Sequence, residues 1–142
     1  MERSRRRCSA LLMGLIVALC VGCTRAPTAA PVDTAVPIAS IDSVRGDWTG
    51  RIVYSPVGPS EQWIDLTIGG DGSYRYTAYR SWGVLAGSGK LTLVDGELHS
   101  ESTSGKATYR LYDRGGKRLL KIEALENSGL RYLAEFKPRF GR

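Results

Sequence analysis

The stretch Ile64-Asp65-Leu66-Thr67-Ile68-Gly69-Gly70-Asp71-Gly72-Ser73-Tyr74-Arg75-Tyr76-Thr77-Ala78 decides the fold class. Apolar and polar residues alternate on both sides of its glycines. Ile64, Leu66 and Ile68 share one face of the first arm, and Tyr74, Tyr76 and Ala78 share one face of the second. A period of two is the pattern of half-buried strands, not of helices. Gly69-Gly70-Asp71-Gly72 between the arms is a strong turn signal. The stretch therefore reads as an antiparallel hairpin.

The same texture extends in both directions from Val44 to the C-terminus. Eight strands are expected: Trp48 to Tyr54, Gln62 to Ile68, Tyr74 to Arg80, Gly87 to Val94, Glu97 to Ser102, Ala107 to Asp113, Arg118 to Leu125 and Leu130 to Lys137. Asp95-Gly96 fits a tight type I′ turn. Ser104-Gly105, Arg114-Gly115-Gly116-Lys117 and Asn127-Ser128-Gly129 supply further turns. Every connection is too short for a parallel crossover, which takes a dozen or more residues. The expectation is an all-β domain, an eight-stranded antiparallel up-and-down meander closing into a small barrel. Closure between the last strand and the first would remove exposed edges. Ile, Leu and Tyr dominate the inward positions, so the interior reads as largely filled. Gly50, Ala78, Gly87, Gly89 and Ala107 are small enough to leave a partial cavity.

Composition narrows the function classes. With 42% hydrophobic and 24% charged residues, the chain is neither disordered nor polytopic. One histidine in 142 residues is a poor inventory for metal or acid–base chemistry. The short strands, one face of each charged, do not fit a membrane-spanning barrel.

Ahead of the strands the texture differs. Met1-Glu2-Arg3-Ser4-Arg5-Arg6-Arg7 is a basic leader, and Ala10 to Val21 is an apolar run. As a helix that run reaches about 18 Å, short of the roughly 30 Å bilayer core. Residues 1–22 therefore read as an export signal. Residues 23–43 hold spaced prolines, small side chains and no aromatic, so they read as a flexible tether, with the domain at 44–142. The run ends Leu19-Cys20-Val21-Gly22-Cys23-Thr24 and here resembles bacterial lipoprotein precursors. The resemblance implies cleavage between Gly22 and Cys23, lipid attachment at Cys23, and anchoring on the periplasmic face of the outer membrane, since Thr24 is not acidic. Position −3, usually leucine in that class, is Cys20 here. Ordinary signal cleavage without lipid is the alternative. Removal of residues 1–22, with four arginines and one glutamate, lowers the net charge from +6 to +3. The remaining charges are interspersed, which argues against nucleic acid as a partner. No cysteine follows Cys23, so the domain relies on packing alone.

Gly46-Asp47-Trp48 resembles the Gly-x-Trp opening of lipocalin-like barrels. The resemblance implies a tryptophan closing one barrel end. Avidin-like barrels open similarly, but Thr49-Gly50-Arg51-Ile52 offers no counterpart of their biotin-contacting residues.

Glu97, His99 and Glu101 share one face of the fifth strand, a spacing able to bind metal or move protons. A solvated outer face with Lys90 and Arg110 as cross-strand partners is the preferred reading of the three. A Ser-His-acid site would have to use His99, and no serine is placed near it. Gly69 to Gly72 lacks the following helix of a phosphate loop. Trp63, Tyr79 and Tyr112 fall in the outward phase, as do Leu119 and Leu133. Ser81-Trp82-Gly83-Val84-Leu85-Ala86 reads as an apolar connection that rims a mouth or closes an end. The expected role is non-catalytic, without metal or cofactor. An envelope protein partner meets Trp63, Tyr79, Trp82 and Tyr112, or a small amphipathic ligand occupies the barrel.

Overall fold

The computed structural model describes residues 32–57, 63–81 and 83–139. The described residues are all-β, with one 3-10 turn at Ile41–Ser43. The strands are β1 Asp33–Val36, β2 Gly46–Tyr54, β3 Trp63–Ile68, β4 Ser73–Arg80, β5 Gly83–Lys90, β6 Thr92–Val94, β7 Glu97–Ser102, β8 Gly105–Arg114, β9 Lys117–Glu126 and β10 Arg131–Pro138. Their order in the sheet is β5-β4-β3-β2-β10-β9-β8-β7-β6, with β1 beside β8. Every ladder is antiparallel, and the sheet curls into an open half-barrel.

The last strand does pair with the opening one: Phe136 faces Gly50 and Pro138 faces Trp48 across β10 and β2. The opening lies elsewhere. The expected fourth strand, Gly87 to Val94, is two pieces of a longer extended run that breaks at Leu91. β5 pairs with β4, while β6 pairs with β7. Each half thus serves a different neighbour. Cα atoms of β5 and β7 come within 8 Å of each other without a ladder between them. That seam replaces the closed ring, and Ser81 to Ala86, expected as a connection, is largely the start of β5.

The physical reason lies in Gly87 and Gly89. They stand directly opposite Tyr76 and Tyr74. A Cβ on Gly87 would lie 2.5 Å from the Tyr76 ring, and one on Gly89 would lie 2.9 Å from the Tyr74 ring. The two rings therefore lie flat across β5, over the missing side chains. The Tyr74 ring meets Tyr109 of β8 at 6.1 Å between centroids. Side chains, not backbone, bridge the seam.

Asp95-Gly96 makes the expected tight turn, with φ of 49° and 80°. Both values belong to a type I′ turn, where glycine is favoured.

Residues 33–43, expected as tether, belong to the fold, and the described residues form ten strands rather than eight. β1 runs from Asp33 opposite Arg114 to Val36 opposite Leu111. The Asp33 carboxylate accepts hydrogen bonds from Arg114, with Nη2 at 2.8 Å, and ion-pairs with Lys121 Nζ at 2.7 Å. These cations, Arg114 first, hold its pKa well below the usual carboxylate range. Next, Ile38 donates its N–H to Gly96 O and is buried. The chain then turns through Ile41–Ser43 into fully buried Val44.

This return path plugs one end of the half-barrel. Val44, Ile68, Leu98 and Leu120 are its most deeply buried side chains, packed in a core with Ile38, Trp48, Leu91, Leu111 and Phe136. Full burial of each aliphatic is worth about 1.5–3 kcal/mol. Trp48 donates Nε1–H to Val44 O at 2.8 Å, and the Arg118 guanidinium lies 5.5 Å from its ring centroid. The tryptophan thus sits at the closed end.

Candidate functional site

The other end is open. β3 and β5 begin there, and β4, β7 and β9 finish there. A cavity of about 240 Å³ runs inward from this mouth. Its walls are Ile52, Ile64, Leu66, Ala78, Ala107, Ile122, Ala134 and Phe136, with the rings of Tyr74, Tyr76 and Tyr109. The interior is therefore partly filled: apolar residues pack the closed end, and small alanines leave space toward the mouth.

Polar atoms are few in the interior. Ser100 is buried, and its Oγ stands 3.4 Å from Tyr109 OH. Burial pushes the Tyr109 hydroxyl above its ordinary pKa, so the phenol stays neutral well into alkaline pH. Around the mouth stand Arg80, Lys106, Ser102, Ser104, Glu126 and Tyr132. Lys106 Nζ lies 3.0 Å from Glu101, and Glu126 accepts a hydrogen bond from Ser128 Oγ at 3.0 Å. Burial first, then the Glu126 carboxylate, raises the Tyr132 pKa.

On the outer face at the same end, the register aligns one row across four strands: Arg51, Trp63, Tyr79 and Val84 stand directly opposite one another in turn. Trp63 is 52% exposed, Tyr79 45% and Val84 67%. Exposed Val53 shares the outward phase of Arg51 on β2. The row ends at β5, whose ladder partner is β4.

Two of the expected surface residues, Trp63 and Tyr79, thus meet as a cross-strand pair. Tyr112 does not join them. It lies four strands away on β8, half-buried, facing Ala35 of β1, with Lys121 Nζ 4.7 Å from its ring centroid. The strand order takes it out of the patch, and β1 packs along its strand. Trp82, Gly22 and Cys23 lie outside the described residues. Leu119, though outward in phase, is buried at 3% exposure. Arg51 and Val84 were not singled out by sequence. The signal for Val84 was the alternation of Val84, Ala86 and Ser88, masked by Leu85 and Gly87 between them.

Glu97 Oε2 lies 3.9 Å from His99 Nε2, but Glu101 turns away to Lys106, so the three do not form one cluster. Glu97 accepts from Arg110 Nε at 2.6 Å, and Arg110 also reaches Glu123 at 3.3 Å. His99 Nδ1 lies 3.3 Å from Thr108 Oγ1, and Glu101 pairs with Lys106. Lys90 is not their partner. It bonds Asp71 Oδ2 at 2.7 Å, because β5 pairs with β4 rather than with β7. Among the described residues, no group of three His, Cys, Asp or Glu is placed to hold a metal ion. His99 and Ser100 are consecutive on β7, so their side chains point to opposite faces of the sheet.

What the geometry offers is one end of a half-barrel carrying an apolar outer row and a lined cavity side by side. Comparison with protein-family models, with curated proteins and with solved structures returns no match for the chain.

Proposed function

We propose that the chain is a lipid-anchored envelope protein, attached through Cys23 on the periplasmic face of the outer membrane, and that its half-barrel is a non-catalytic module binding a protein partner. The observation that carries the partner reading is the in-register row Arg51–Trp63–Tyr79–Val84. Contiguous exposed aromatic and aliphatic surface beside an arginine is the composition of an interface core. The fitting partner segment offers apolar side chains to Trp63, Tyr79 and Val84 and a carboxylate to Arg51. The anchor reading is supported by the sequence ending in Gly22-Cys23 after a short apolar run.

The test is photo-crosslinking in intact cells from a reactive residue placed at Val84, with a second placed at exposed Lys137 on β10 as control. A discrete protein adduct is expected at Val84, absent at Lys137, and reduced at least tenfold by Trp63→Ala. Adducts unaffected by Trp63→Ala, or none at Val84, defeat the partner reading. Intact mass tests the anchor separately: a free thiol at Cys23 overturns it.

A further inference from the structure

We propose that the partner docks by strand addition: an extended segment of it joins the free edge of β5 as an antiparallel strand, bonded to Val84, Ala86 and Ser88. The inference rests on the partner reading above and assigns that partner a backbone conformation. Among the described residues, β5 has one ladder neighbour, β4. In an antiparallel ladder, opposed residues that exchange hydrogen bonds alternate with opposed residues that do not. Leu91 donates its N–H to Gly72 O at 2.8 Å. The register continues without a shift through Gly89 opposite Tyr74, Gly87 opposite Tyr76 and Leu85 opposite Ala78. These residues therefore bond β4. Ser73, opposite Lys90, fits the same phase, since its O accepts from Gly69 N–H on the β3 side. Val84, Ala86 and Ser88 accordingly turn their N–H and C=O groups away from β4, to the side where no ladder forms among the described residues.

Three residues, each with one donor and one acceptor, over about 14 Å make a template for another extended backbone. Sheet edges are ordinarily blunted by shortness, proline, bulges or charge. The other end strand, β6, has three residues, and β1 has four. β5 has eight, without proline or register shift, and all but Gly87 are exposed. Its one charge, Lys90, lies at the far end, held by Asp71. Nor does β7 cover the edge. Continued past Leu91, the β6–β7 register sets Ser102, the last residue of β7, level with Gly89. Val84 to Ser88 thus run beyond the end of β7, where the seam widens into the cavity mouth.

The side chains specify the occupant. Outward, the row Arg51–Trp63–Tyr79–Val84 stops at this edge, and an added strand continues it with an apolar residue opposite Val84. Inward, alternate residues of the same strand face the mouth beside Leu85 and Ala107. The fitting segment is about five residues long, uncharged, and apolar on both faces at its Val84 end. Antiparallel addition matches every other ladder of the sheet and is the more stable pairing. A second copy of this chain fits less well. Overlapped along Val84 to Ser88, two β5 strands set polar Ser88 opposite Val84 and Gly87 opposite Leu85, which extends neither apolar face.

The experiment is disulfide trapping on the full chain in intact cells. The protein captured by the reactive residue at Val84 is identified by mass spectrometry. Cysteines are then scanned along its captured segment against Val84→Cys, Ala86→Cys and Ser88→Cys in turn. The trapping maximum is expected to move two residues along the segment for each two residues of β5, in the opposite chain direction. A maximum that stays in place, steps by three or four, or moves in the same direction overturns strand addition as assigned. Ala86→Pro removes an edge-facing N–H and no bond of the β4 ladder. It is expected to cut the Val84 adduct at least tenfold while the amide signals of β4 hold their positions; where it unfolds the domain, the cysteine spacing decides. An adduct that survives the proline overturns strand addition and leaves the partner reading standing. A captured protein that is this chain itself overturns the choice of occupant. The absence of any adduct at Val84 defeats the partner reading, and this inference with it.

Discussion

Replacing Gly50 with alanine tests the packing logic of the half-barrel most directly. Gly50 faces the interior of β2, opposite Phe136 of β10. An added Cβ would lie 2.2 Å from the backbone oxygen of Glu135 and 2.7 Å from the Phe136 ring. Ordinary contact begins near 3.4 Å, so about 1 Å of separation is required, and a backbone oxygen cannot rotate away. Two ladder hydrogen bonds lost or stretched cost about 1–3 kcal/mol. Overpacking Phe136 adds about 1–3 kcal/mol. The sum, about 2–6 kcal/mol, corresponds to a fall in Tm of roughly 10–30 °C for a domain of this size. Gly116→Ala is the control. Its φ of 80° is strained for alanine, yet nothing lies within 4 Å of the added carbon, so about 1–2 kcal/mol is expected. Thermal and urea unfolding of both variants gives the comparison. Equal losses at the two positions would refute the reasoning, because close approach would then contribute nothing.

Further outcomes follow from the same geometry. Leu120→Ala, which empties a fully buried position at the closed end, is expected to cost about 2–5 kcal/mol by urea unfolding. Trp48→Phe removes the bond to Val44 O and the larger ring beneath Arg118; a loss of about 1–3 kcal/mol is expected. The depressed pKa of Asp33 contributes stability that is present above the ordinary carboxylate pKa of about 4 and is lost as pH falls toward the folded value. Amide signals of Asp33–Val36 should accordingly shift toward free-chain positions below about pH 4, and Asp33→Asn should produce the same change at pH 7. The raised pKa of Tyr109 works at the other limit. Its contribution is complete below about pH 10 and is lost as pH rises further, so Tyr109→Phe should flatten the alkaline limb of the stability–pH curve.

Strand identity was legible wherever alternation used side chains large enough to show it. Ile64, Leu66 and Ile68 face the core as their period implied, and so do Tyr109, Leu111 and Leu120. Glycine hid the rest. In β5 the inward positions are Gly83, Leu85, Gly87 and Gly89, so no apolar period marks the strand, and its partner tyrosines supply the missing bulk. β1 was illegible for a different reason: its four residues bury little, and a charge network holds them, with Arg114 and Lys121 about eighty residues away in sequence. No local pattern encodes such a contact. The candidate surface was half visible. Phase placed Trp63 and Tyr79 outward, but only register across strands could set them beside Arg51 and Val84 and separate Tyr112.

The entry point of β1 has a consequence for orientation. Asp33 faces Arg114, at the plugged pole, whereas Gly105 and Lys106 at the start of the same strand β8 edge the cavity. Ten residues of strand, roughly 30 Å, lie between them. If the proposed lipid anchor holds, a pull from ahead of Asp33 would act at the sealed pole and leave the opposite pole pointing outward. Nine residues separate Cys23 from Asp33 in the sequence. Under that proposal, the docking place of β1 would set direction as well as attachment.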